Sequence, residues 1–135
     1  LPGAQVFSLQ KGAAAAEQHS AGAAGVVVDL GAQCRHFGDT AAALEQMDLV
    51  VACDSAVAQL AGGMGKPVLA LLRFNPHWIY GMHGDSTPWY PTMRLLRQKS
   101  PGDWSSVCTE LLRLVGRWAE IRAERAPDGR ATLSL

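Results

Sequence analysis

Neither sign of charge prevails in this chain: twelve lysines and arginines offset twelve aspartates and glutamates. No long-range field therefore draws it to DNA, RNA or anionic lipid, and a nucleic-acid partner is not expected. Long apolar runs are also missing. The longest, such as 49–53 and 68–72, fall far short of the roughly 18 residues that a membrane helix needs. Cysteine is sparse, and Cys34, Cys53 and Cys108 form no CxxC pair. That excludes a disulfide framework and a zinc site, and suits three reduced packing thiols in a cytoplasmic protein. No basic segment with an apolar stretch behind it follows Leu1, so no secretory signal is expected. A first residue other than Met is read as a start partway through a longer protein.

Familiar catalytic motifs are absent as well. Lys66 follows Gly65, but a phosphate-binding Walker loop would require Gly in place of Leu60 and Ser or Thr in place of Pro67. Gly62, Gly63 and Gly65 do not space as GxGxxG, and neither HExxH nor GxSxG occurs. Zinc hydrolysis and nucleophile-elbow chemistry have no residues to stand on. Neither a metal nor a resident cofactor is expected.

What is present is an ample core for 135 residues, 48% of them apolar, and a regular alternation of elements. Strands are expected at 5–9, 26–30, 49–53, from Pro67 to 72, and at 93–98, with helices at 13–19, 39–46, 56–65 and from 104 onward. Strand followed by helix throughout is the pattern of a parallel α/β sheet with crossover connections. Runs without alternation, Val26-Val27-Val28 and Leu69-Ala70-Leu71-Leu72, imply strands covered on both faces. Asp39 or Thr40 and Asp103 are expected helix caps, since their oxygens accept first-turn N–H groups. In the last helix the apolar stripe runs through Trp104, Val107, Cys108, Leu111, Leu112, Val115, Trp118 and Ala119. Three prolines and two glycines within 73–92 make that stretch a long ordered loop, which in a compact domain is usually functional. One domain over 1–125 and a tail over 126–135 complete the expected organisation.

In an open parallel sheet, ligands lie beyond the carboxyl ends of the strands, where helix N-termini face them. Two junctions meet that description. After the first strand come Gln10, Lys11 and Gly12, where an ammonium can meet phosphate and a glycine lets the backbone approach; a solvated turn lysine is the plainer reading. After the third strand come Asp54 and Ser55, so that a hydroxyl and the free N–H groups of 55–57 can receive a diphosphate. The Asp54 carboxylate would repel phosphate and suits sugar hydroxyls better. An ordinary helix cap accounts for the same two residues.

Three segments together resemble one family: VFSLQKG at 6–12, DLGAQCRHFGDTAAALEQMDLVVACDSAVAQLAGGMGKPVLALL at 29–72, and TPWYPTMRLLRQKSPGDW at 87–104. They are similar to the C-terminal half of bacterial heptosyltransferase-like glycosyltransferases (glycosyltransferase family 9), above all those fused behind tetratricopeptide repeats and akin to O-linked N-acetylglucosamine transferase. The resemblance implies a GT-B fold whose Rossmann-like C-terminal domain binds a nucleotide-sugar donor, UDP- or ADP-linked. The N-terminal half brings the acceptor and the catalytic base, so this chain alone would be inactive. Gln10 and Lys11 fall where the family neutralises the diphosphate. Asp54 and Ser55 fall on its Asp-Thr pair, with Ala56 opening the helix. Gln59 replaces a common histidine, and an amide cannot carry a proton's charge. His77 replaces the aspartate of a Pro-Asp-Trp loop and becomes a candidate ligand contact.

The resemblance also implies strand order 3-2-1-4-5-6, whose first, central strand lies in nothing before Gln5. Strands 5–9 and 49–53 would then either pair directly or present open edges. A second copy of the chain, detectable by light scattering, or residues 131–135 could fill the gap. Two other readings compete: a degenerate, non-catalytic glycosyltransferase-like module serving protein contacts, and an unrelated flavodoxin-like or receiver-type α/β protein. The latter would need clustered acids where Leu9-Gln10-Lys11 stands.

Overall fold

The computed structural model describes residues 4–20 and 25–125; the tail expected over 126–135 lies outside them. The chain is a mixed α/β protein of Rossmann-like type, with ten elements among the described residues. These are β1 (Val6–Ser8), α1 (Ala13–Ser20), β2 (Val27–Asp29), α2 (Phe37–Glu45), β3 (Val50–Cys53), α3 (Ala56–Gly63), β4 (Val68–Leu72), a 3₁₀ turn (Trp78–Tyr80), β5 (Met93–Arg97) and α4 (Trp104–Arg125). It divides into two compact units, Leu1–Gln46 and Met47–Leu135.

In the first unit β1 and β2 pair in parallel, with Val6 opposite Val27 and Ser8 opposite Asp29. In the second, β4 lies between β3 and β5, again all parallel. β1 and β3 share no ladder among the described residues. The described residues thus form one parallel pair and one parallel three-stranded sheet. Val6 on β1 and Val51 on β3 are each 45% exposed.

Cover on both faces holds for β4, where Val68, Leu69, Ala70 and Leu72 are buried. It fails for the run at 26–28, where Val26 and Val28 are exposed, because a two-stranded sheet has too few neighbours to shield both faces. The cysteines need a similar correction: Cys34 is buried, but Cys53 and Cys108 are exposed.

Around β4 and β5 the core joins Leu69, Leu96 and Val107 to Leu49, Leu71, Leu111, Leu114 and Val115. The buried stripe of α4 thus runs 107, 111, 114, 115, advancing by four, three and one as a 3.6-residue helix requires. Leu114 belongs to it, whereas Leu112 is 74% exposed, so the stripe is turned by part of a residue from the expected one. The Asp103 cap is present, with Oδ1 accepting from Ser106 N at 3.1 Å and Oδ2 from the Ser106 hydroxyl at 2.7 Å.

The start of α2 differs from expectation. Its N-cap is His36, whose Nδ1 accepts from Asp39 N at 3.2 Å, and Asp39 sits at the third helical position. Asp39 Oδ2 in turn accepts from Arg35 N at 2.7 Å and His36 N at 3.3 Å. This reciprocal capping box satisfies donors before the helix as well as within it. Thr40 is buried one position further on.

The backbone bond from Arg35 holds the Asp39 carboxyl below its ordinary value of 3.8, and the bonds from Ser106 do the same for Asp103. A carboxyl depressed in the folded chain stabilises it above the unfolded value, and that contribution goes as pH falls through the folded value. Both caps should therefore be intact at neutral pH and fail below about pH 4. Protection of the Arg35, His36 and Ser106 amides, taken against the intrinsic exchange rate at each pH, should fall on acidification below that point; protection unchanged down to pH 2 would contradict it.

Candidate functional site

The β3–α3 junction builds the better-defined of the two predicted sites. β3 ends at Cys53, and Ser55 turns the chain with φ −155° and ψ 163°, the extended backbone of an N-cap. Its hydroxyl accepts from Ala58 N at 3.4 Å, and its carbonyl from Gln59 N at 3.2 Å. The first-turn N–H groups of Ala56 and Val57 precede any intrahelical partner, and the helix dipole leaves partial positive charge there. The exposed methyl side chain of Ala56 leaves that approach open.

Loop 73–92 closes onto this junction. Asp54 Oδ2 accepts from His77 N at 3.1 Å, so His77 is brought to the site through its backbone, while its ring, exposed, lies 5.5 Å from that of Trp78. Trp78 in turn meets Trp89 edge to face at 6.2 Å. Beneath lies Tyr80, 2% exposed. Its hydroxyl is buried near the side chains of Asp54 and Gln59 but completes hydrogen-bond geometry with no group. Burial pushes the Tyr80 phenol up to about 12, and the Asp54 charge adds to the effect. At neutral pH the phenol is thus a proton donor.

Arg97 holds the loop in this position. Its Nε donates to Gly84 O at 2.7 Å, Nη1 to Gly81 O at 3.0 Å and Nη2 to Tyr80 O at 2.5 Å. Gln98, 6% exposed, accepts from Phe74 N at 3.1 Å and Gly102 N at 3.2 Å through Oε1. The loop is therefore ordered by side chains of β5 and the residue after it. Gly62 gives the far side of α3 close contact, since a Cβ there would stand 2.8 Å from Tyr90 Cγ.

The other predicted site residues, Gln10 and Lys11, are exposed and belong to the first unit. Lys11 Nζ donates to the Cys34 carbonyl and lies near enough to Asp39 to lower its carboxyl. An ammonium has three donors, so that bond leaves capacity for an anion. Gln10 N donates to Ser8 Oγ at 3.3 Å.

Asp54, Ser55, Ala56, Gln59 and His77 thus meet in one place, joined by two residues that the sequence reading did not select, Tyr80 and Arg97. A tyrosine in a proline- and glycine-rich loop and an arginine on the fifth expected strand were the available signals. A cavity of about 480 Å³ lies elsewhere, between β5, α4 and the loop. Of its charges, Arg94 pairs with Asp85 at 3.4 Å and Glu110 with Arg113 at 2.6 Å. Among the described residues no cluster of His, Cys, Asp or Glu could hold a metal, and no helix is long and apolar enough to cross a membrane. No family model, curated protein or solved structure matches the chain.

Proposed function

We propose that the chain is the donor-binding half of a cytoplasmic GT-B glycosyltransferase, taking a nucleoside diphosphate sugar, UDP- or ADP-linked. The observation that carries this reading is the β3–α3 junction: unpaired first-turn amides and the Ser55 cap, with the Asp54 carboxylate held beside them by His77 N. The amides and dipole suit the diphosphate, and the oxygen of Asp54 not taken by His77 suits sugar hydroxyls. As the bond to the sugar's anomeric carbon breaks, charge grows on the leaving diphosphate, and fixed amides oriented at it lower the barrier without reorganising. Lys11, in the first unit, is the ammonium that the resemblance assigns to a diphosphate. Acceptor and base would come from another part of a longer protein, an N-terminal half or one preceded by tetratricopeptide repeats.

Calorimetry of the chain with UDP-, ADP- and GDP-sugars tests this. Weak but saturable binding is expected for one of them, reduced roughly tenfold or more in Ser55→Ala, as for loss of a hydrogen bond to a charged group. Lys11→Ala tests the assignment of the ammonium separately. Heats that do not saturate, or binding indifferent to both Ser55→Ala and Asp54→Asn, would remove the reading.

A further inference from the structure

A buried hydroxyl without a partner destabilises a fold, since it has given up water and received nothing in exchange. The buried Tyr80 hydroxyl comes close to this state, for it meets Asp54 and Gln59 without full hydrogen-bond geometry to either, and several contacts keep it in place. The ring is 2% exposed, its carbonyl is held by Arg97, and the turn that carries it follows directly from the His77 N–H bound to Asp54. A phenylalanine would fill the same volume without the polar cost. The hydroxyl lies by Asp54 and Gln59, two of the groups that border the α3 N-terminus.

We infer that Tyr80 is a positioning residue that tells a glycosylated nucleoside diphosphate from a free one. The inference rests on the donor-binding reading above. Asp54 has one oxygen fixed by His77 N; hydroxyls of a bound sugar would turn the other. Tyr80 then donates the bond it otherwise lacks to that carboxylate and holds it against the sugar. Gln59, whose amide both donates and accepts, completes the polar set. A nucleoside diphosphate without a sugar engages the amides of α3 but leaves Asp54 unturned, so it gains nothing from Tyr80. The selectivity is for the sugar as a polyhydroxylated group, and it comes from a residue that does not itself touch the diphosphate.

Tyr80→Phe removes the hydroxyl alone and gives two readouts on the full chain. In thermal unfolding the variant should melt close to the wild-type temperature or above it, because no bond of full geometry is lost. In calorimetry with UDP-glucose against UDP, and ADP-glucose against ADP, the wild type should favour the sugar form of its nucleotide. That preference should fall about five- to tenfold in the variant, the worth of one hydrogen bond. A melting temperature several degrees lower would show the hydroxyl to be a structural bond and overturn the inference. So would an unchanged preference in a variant whose wild type binds both probes, which leaves the donor-binding reading standing. A wild-type chain that binds none of the four probes overturns that reading and this inference together.

Discussion

Gly31→Ala is expected to disrupt the unit built on β1 and β2. A Cβ at position 31 would stand 2.0 Å from the Gln10 carbonyl oxygen, 2.9 Å from the Gln10 carbonyl carbon and 3.1 Å from that of Leu9. All three are backbone atoms, and no rotamer change can relieve them. The requirement is for space rather than torsion, since Gly31 is not among the glycines with positive φ. Gly31 N is anchored as well, donating to Asp29 Oδ1 at 2.9 Å and Ser8 O at 3.1 Å. The strand-end turns can therefore separate only by giving up those bonds. Overpacking of this kind costs roughly 3 kcal/mol or more, and a two-stranded sheet has little stability to set against it. Urea denaturation and amide exchange at Leu30 and Gly31 should both register the loss; near-native stability would show that the turns do not meet as described.

Arg97→Ala is expected to disable the Asp54 site although Arg97 bonds only the loop carbonyls and not Asp54. Three nitrogens of one guanidinium hold the carbonyls of Tyr80, Gly81 and Gly84, and burial lowers the pKa of the group only against a very high starting value. Each charge-assisted bond is substantial, but solvent reaches this one side chain, so a loss of about 2 kcal/mol in stability is expected. The larger effect is on binding. Without the clamp, Tyr80 and the His77 N–H lose their fixed relation to Asp54, and nucleotide-sugar affinity should drop more than tenfold. Lysine is no substitute, because a single ammonium cannot reproduce a planar fork spread over three acceptors. Arg97→Lys should therefore resemble Arg97→Ala in calorimetry; wild-type affinity in both variants would mean that the loop holds its position unaided.

How much of this was visible in the residues depends on the range of the interaction. The β3–α3 junction was legible because an N-cap is local: Asp54 and Ser55 follow an apolar strand and precede a run of small helical residues. The strands themselves showed as unbroken apolar runs, and α4 as a periodic stripe. Its rotation escaped because Leu112 and Leu114 lie on either side of the boundary and only the packing partners Leu69 and Leu96 decide between them. His36 was passed over as a cap since histidine is seldom one, and only the reciprocal bond from Arg35 and His36 to Asp39 reveals the box. Tyr80 and Arg97 take their meaning from contacts with residues 13 to 26 positions away, which no local pattern encodes. The space demanded at Gly31 comes from a turn twenty-one residues earlier, which local sequence does not show. The division into two sheets depends on which strands pair, which no single residue encodes.

The central claim is that the α3 N-terminus receives the diphosphate of a nucleotide-sugar. Amide chemical shifts followed during titration with UDP-glucose or ADP-glucose read that contact directly. The account predicts saturable shifts, with one of the two donors, that are largest at Ser55, Ala56 and Val57. Shifts that centre on another part of the chain, or none at all with either donor, would contradict it.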